Sequence, residues 1–317
     1  MSVAVAIAVN RARRAASHTA WLLAGLAAFG APLSAEIKET SSMKEALALA
    51  TTKTLVIFDV DNTLLEPDQM VGSDQWFDYA MEKLVAQDKI SEDEAEARVE
   101  PIWNQIQYLT KVHAVEATTP AVIAELQQRG VKTMALTARP VAITEITLRQ
   151  INGLGIDFTK SRPSAKNFEM PPQPDRKNPA RYWQGVLFAS GNDKGKLLVA
   201  FMKRVGLSPD AVIFVDDKKR NVENVERALN ATTIPHVAWR YGAADAKVAA
   251  FNGATADVQY FHLQKIMSDQ DAAALAKAAP PESAARFARL EPLAVPTAAL
   301  GGPRYLPQKN AKALSHP

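Results

Sequence analysis

Two short apolar runs in this chain end the same way, in paired carboxylates, and that feature restricts the fold more than any other. Thr54-Leu55-Val56-Ile57-Phe58 leads straight into Asp59-Val60-Asp61, and Ala211-Val212-Ile213-Phe214-Val215 leads into Asp216-Asp217. Continuous runs of β-formers without polar alternation suit strands buried on both faces, as in a parallel sheet covered by helices. A strand of that kind cannot continue through paired charges, so the acids mark strand ends. In open α/β sheets, ligands bind beyond the carboxyl ends of the strands. Two more elements reach the same edge. The strand predicted at Val131 to Leu136 closes on Thr137-Ala138-Arg139-Pro140, and Gly191-Asn192-Asp193-Lys194-Gly195 stands at a helix start after a short strand, Gly185 to Ala189. Another strand is predicted at Ile234 to Trp239.

Helical patterns fill the intervals, which gives an α/β fold with a Rossmann-like parallel sheet and crossover helices. Asp74 to Leu109 reads as helical, with Ser91-Glu92-Asp93-Glu94 as a capping box. Thr119 takes an N-cap position before Pro120, and Gly130 closes the helix Ala121 to Arg129. A helix from Gly195 to Val205 stops at Gly206, and another runs through Leu229. The stretch 159–184 carries Pro163, Pro171, Pro172, Pro174 and Pro179, and is expected to be an irregular insertion.

The ends of the chain differ in character from its middle. Arg11, Arg13 and Arg14, the apolar run Trp21 to Phe29 and the small residues of Ala31 to Ala35 form the pattern of a signal peptide over 1–35. That apolar run falls short of the roughly 20 residues a bilayer span needs, so no stable span is expected once the signal is removed. The expected location is exported, in a bacterial periplasm or secreted. From 267 to 317 the chain turns to Ala and Pro, which predicts a flexible tail after a folded domain at 36–266. Cysteine is absent, which removes disulfides, thiolate nucleophiles and cysteine zinc sites. The five histidines show no ligand spacing. A net charge of +3 that includes a basic leader and tail gives no case for nucleic-acid binding.

In order along the chain, Phe58-Asp59-Val60-Asp61-Asn62-Thr63-Leu64, Thr137 in Leu136-Thr137-Ala138-Arg139, Lys194 in Gly191-Asn192-Asp193-Lys194-Gly195, and Val215-Asp216-Asp217 with Asn221 resemble the four motifs of the haloacid dehalogenase (HAD) superfamily. The resemblance covers residues 54 to 240, and in more detail the chain is similar to the uncharacterised DUF2608 branch. It implies an aspartyl-phosphate mechanism with Asp59 as nucleophile and Asp61 as the acid and base. It also implies a magnesium ion among Asp59, Asp61, Asp216 and Asp217, with Asp217 favoured as a direct ligand and Asp216 as a second ligand or one layer further out. Thr137, Lys194, Asn62 and Asn221 are implied at the phosphoryl group or at a metal-bound water, with Lys194 also tethering Asp59. The segment 66–117 is then expected to form a small helical cap, with Trp76, Phe77, Tyr79, Trp103 and Tyr108 as its core.

Each motif has a plainer reading when taken alone. Asp59 and Asp61 suit a turn, Asp216-Asp217 suits a helix N-cap, and Lys194 has a rival in Lys196. A calcium loop starting at Asp59 fails because Leu64 stands at its sixth position, where Gly is needed. The resemblance, taken with the leader pattern, implies an exported, magnesium-dependent phosphomonoesterase acting on a small phosphorylated substrate. The alternatives are a phosphotransferase or phosphomutase using the same site, and an exported binding protein with weak catalysis. Oligomeric state is not legible.

Overall fold

The structure, a computed structural model, describes residues 36–263 and 268–278. The expected signal peptide and the part of the expected tail beyond 278 lie outside the described residues. The described chain divides into two compact units. One holds 36–64, 114–141 and 151–244; the other holds 65–113, 142–150 and the described residues from 245 onward.

The first unit is built on one sheet of eight strands: β1 (Glu36–Thr40), β2 (Thr54–Phe58), β5 (Lys132–Thr137), β6 (Phe168–Met170), β7 (Ala180–Trp183), β8 (Val186–Phe188), β9 (Ala211–Asp216) and β10 (His236–Tyr241). Their order is β1-β10-β9-β2-β5-β8-β7-β6. The pairs from β1 across to β8 are parallel, and β8-β7 and β7-β6 are antiparallel. The five predicted strands are all present, and the α/β class with a mostly parallel sheet is the observed one. β2 sits centrally, between β9 and β5, and all five of its residues are buried.

Helices form where the chain offers caps and an apolar face. α1 (Met43–Ala46) follows Ser42, and α4 (Thr119–Gln128) starts after Thr118, one residue before the expected cap. Helix α6 (Lys194–Val205) is capped by Asp193, whose carboxylate accepts the Lys196 N–H at 2.9 Å, and ends on Gly206 at φ 64°. With α7 (Lys219–Asn230) it covers one face of the sheet. Leu197, Leu198, Phe201 and Met202 of α6 meet Val222, Val225 and Leu229 of α7 over Leu55, Ile57, Met134, Leu136, Val212 and Phe214. The sheet residues alternate, as one face of a strand must, and the α7 residues recur at helical spacing. Each large side chain buried here contributes about 1.5–3 kcal/mol.

The Pro-rich stretch holds more order than its composition suggests. Residues 168–170 and 180–183 extend the sheet as β6 and β7, and Phe168 lies 5.4 Å from the Tyr182 ring. The β7-β8 turn is Gln184-Gly185, both left-handed at φ 50° and 88°. That is the two-residue hairpin geometry whose twist matches the strands.

The second unit contains α2 (Asp74–Asp88) and α3 (Glu92–Leu109), capped by Ser73 and Ser91. A ribbon of β3 (Leu65–Pro67) and β4 (Val112–Ala114) accompanies them. Its core joins Trp76, Trp103 and Ile106 with Ile143 and Ile146 of the segment Ala142–Gln150, at the start of α5 (Thr144–Gly153), and with Ala256 and Tyr260. After β10 come α8 (Asp245–Ala249), α9 (Gly253–Phe261) and α10 (Asp269–Ala278). Where composition suggests a tail from 267, residues 269–278 form this last helix. The unit therefore draws on three stretches of chain, where the sequence predicts one insertion at 66–117.

Candidate active site

Parallel pairing sets the chemistry of the first unit side by side. Phe58 is in register with Val215 and with Ala135, so the carboxyl ends of β2, β9 and β5 are neighbours. The Asp59 N–H donates to the Val215 carbonyl at 2.8 Å, carrying the ladder one residue beyond β2 and setting Asp59 beside Asp216. Lys194 opens α6, and its ammonium donates to Asp59 Oδ1 at 2.6 Å and to Asp216 Oδ2 at 2.7 Å. All three side chains are buried. Such an ion group is tolerable in a low-dielectric interior only because every charge meets an opposite one at hydrogen-bond distance. Lys196, the rival lysine, points to solvent.

Asp216 accepts from three groups. Besides Lys194 it accepts the Lys218 N–H at 2.8 Å and both of its oxygens accept from Asn221 Nδ2, at 3.0 and 3.1 Å. Asp217 is half-buried, and the residues after Asp59 hold it. Its N–H donates to Thr63 Oγ1 at 3.2 Å, and its carboxylate accepts from Asn62 Nδ2 at 3.3 Å. Asn62 takes a left-handed φ of 56°, which Asn tolerates better than most residues. Thr137 is fully buried; its Oγ1 accepts the Arg139 N–H at 3.1 Å, which leaves the hydroxyl proton for another acceptor.

Burial pushes the Asp59 carboxyl up to about 7, and the Asp216 charge adds to the rise while Lys194 opposes it. For Lys194, burial works against the charge, but Asp216 and Asp59 outweigh it and hold the ammonium well above the ordinary lysine range. Oxygens of Asp59, Asp216 and Asp217 lie within 4.8 Å of one another. This all-oxygen donor set, with more negative charge than Lys194 alone balances, fits a hard divalent cation such as magnesium.

Asp61, expected among the metal-holding acids, stands outside that cluster. Its two oxygens accept instead from the guanidinium of Arg139, Nε to Oδ2 and Nη2 to Oδ1, both at 2.8 Å. Arg139 is the residue that sequence reasoning missed. A signal was present: Asp-x-Asp and Thr-x-Arg close two strands that pair, so residues two beyond each site residue fall next to one another.

Fold and site thus define a parallel α/β protein with a buried acid–lysine–acid centre at its strand ends. The chain belongs to the DUF2608 family, described as a protein of unknown function, whose model matches residues 36–273. A candidate outer membrane protein of Chlamydia trachomatis is 27% identical over 222 residues, which span 70% of this chain and 82% of that protein. One from Chlamydia pneumoniae is 28% identical over 220 residues, covering 69% and 81%. A solved HAD family hydrolase from Deinococcus radiodurans R1, with bound phosphate and sodium, aligns at TM-score 0.34 and 13% identity over 62% of this chain and 94% of its own. Among the described residues, no helix is long and apolar enough to cross a membrane.

Proposed function

We propose that this chain is an exported, magnesium-dependent phosphomonoesterase of the HAD type, working through an aspartyl-phosphate on Asp59. The observation that carries the reading is the buried Asp59–Lys194–Asp216 group, with Asp217 completing a three-acid cluster beyond adjacent strand ends. Export is supported by the leader pattern and by the names of the chlamydial relatives.

In this mechanism an Asp59 oxygen bonds to phosphorus as the ester P–O bond breaks, and Asp61 gives its proton to the leaving oxygen. Thr137 donates its hydroxyl proton to a phosphoryl oxygen, and Lys194 keeps Asp59 aimed and offsets negative charge. Asp61 then takes a proton from water as the water attacks phosphorus. The P–O bond to Asp59 breaks, phosphate leaves and the carboxylate is restored. Magnesium, held by Asp59, Asp217 and Asp216, would supply positive charge against the phosphoryl oxygens. Asn221 keeps Asp216 in place.

The test is phosphate release from a panel of small phosphomonoesters by the chain lacking residues 1–35, with magnesium or with chelator, beside Asp59→Asn. Release should require the metal and fall by about a thousandfold or more in the variant. A folded protein that binds magnesium yet releases no phosphate and carries no phosphate on Asp59 would refute the reading in favour of a binding protein. Phosphorylated Asp59 discharged to another acceptor, without release to water, would make it a phosphotransferase.

A further inference from the structure

Arg139 is the one arginine counted as buried among the described residues, with 1% of its side chain exposed. A guanidinium in that setting is costly unless its donors are used. Two of them, on Nε and Nη2, meet the two oxygens of Asp61 in a planar fork. The backbone that carries the fork is tied down as well. Its N–H donates to Thr137 Oγ1 at 3.1 Å, and its carbonyl accepts the Ser190 N–H at 3.4 Å. Ser190, in a left-handed conformation at φ 49°, also accepts the Val141 N–H on its hydroxyl at 3.0 Å. The ends of β5 and β8 therefore hold Arg139, and Arg139 holds Asp61.

From this geometry we propose that Arg139 is a positioning residue that acts through Asp61, fixing the plane and reach of the carboxylate that exchanges protons with the leaving oxygen and with water. The proposal rests on the phosphohydrolase reading above. A carboxylate at a strand end turns about two side-chain bonds, and proton transfer demands placement within hydrogen-bond reach. A two-point fork removes both freedoms, whereas a lysine, as a point charge, would remove one. Each carboxylate oxygen has two lone-pair sites, so the fork leaves room for the transferred proton.

The experiment uses the full chain with magnesium in five forms: unaltered, Arg139→Lys, Arg139→Met, Asp61→Asn, and the double variant Asp61→Asn/Arg139→Met. It reads kcat and KM on an alkyl phosphate and on nitrophenyl phosphate, the fraction of phospho-enzyme by rapid quench and mass, and the thermal midpoint. Arg139→Met should lower kcat on the alkyl phosphate by about a hundredfold or more, the scale of lost acid–base catalysis. KM should stay within about threefold, because the lost interaction is made through Asp61 and not with substrate. Nitrophenolate leaves without a proton, so phospho-enzyme should still form from that ester and then accumulate. Arg139→Lys should recover part of the loss. In the Asp61→Asn background the Arg139→Met change should cost less than about threefold in phospho-enzyme formation, since its route of action is gone. Penalties that simply multiply in the double variant overturn the proposal, as does a raised KM at unchanged kcat or a loss that only follows a lowered midpoint. If the unaltered chain neither forms phospho-enzyme nor releases phosphate, the phosphohydrolase reading itself fails and takes this proposal with it.

Discussion

At the scale of single residues, the site is a problem in charge. Asp59, Asp216 and Asp217 cluster within 4.8 Å, and Lys194 reaches two of them. Burial and the Asp216 charge leave Asp59 holding its proton up to about 7, against an ordinary value of 3.8. Between those pH values the folded chain binds a proton that the unfolded chain has lost, so the Asp59 contribution to stability falls as pH rises through that window. In chelator, the thermal midpoint should therefore rise between about pH 7.5 and about pH 5, and Asp59→Asn should flatten that rise. Magnesium added at the higher pH should raise the midpoint of the unaltered chain, because a ligand that binds only the folded state stabilises it. A midpoint whose pH dependence is the same with and without the Asp59 carboxyl would refute this account. The placement of these residues was largely legible in sequence, because Asp59, Thr137, Lys194 and Asp216 each sit at or next to the end or start of one element. The Arg139–Asp61 fork joins residues 78 apart, so its Asp-x-Asp and Thr-x-Arg signal becomes readable only once the pairing of the two strands is known.

Among the elements, the close approach of α6 to α7 is what places Lys194. A Cβ on Gly195 would lie 2.1 Å from the Asn224 carbonyl oxygen and 2.9 Å from Ala228 Cβ. Backbone cannot yield as a flexible side chain does, so Gly195→Ala must push the helices apart. The expected cost in urea unfolding is about 2–3 kcal/mol, toward the upper end for an overpacked contact, with a loss of activity because Lys194 is the adjacent residue. Gly206 is the control: it has φ 64° but open space around its Cβ, and its replacement by Ala should cost about 1 kcal/mol. Equal costs at the two sites would mean that the helices do not meet as closely as this. Sequence pattern places both glycines at helix boundaries, and in the structure Gly195 is the second residue of α6 and Gly206 ends it. The role of Gly195 depends on a partner helix that begins 24 residues later, at Lys219. Similarly, proline content hid β6 and β7. The alternation of Ala180-Arg181-Tyr182-Trp183 before Gln184-Gly185 was the available signal, and it was outweighed by the prolines around it.

The whole chain returns to its second unit after finishing the sheet, and composition does not reveal this. Asp269, in an alanine-rich helix, accepts the Met70 N–H at 3.2 Å and the Gln259 side-chain amide at 2.7 Å. Gln259 in turn accepts the Val71 N–H at 2.9 Å. Backbone donors at the start of the unit are thus satisfied by residues about 190 positions later, and an N–H left unpaired in a buried place costs about 1–3 kcal/mol. Hydropathy and proline content describe the tendency of a segment to pack alone, so they cannot register one carboxylate that completes a distant turn. Asp269→Ala should lower stability by about 1–2 kcal/mol, which for a chain of this size is a few degrees in the midpoint. A chain ended after residue 263 should lose more than that relative to one ended after 278, since it also lacks the packing of α10 on α9. If both truncated chains melt together, residues 268–278 contribute nothing to the unit and the sequence-based boundary at 267 stands.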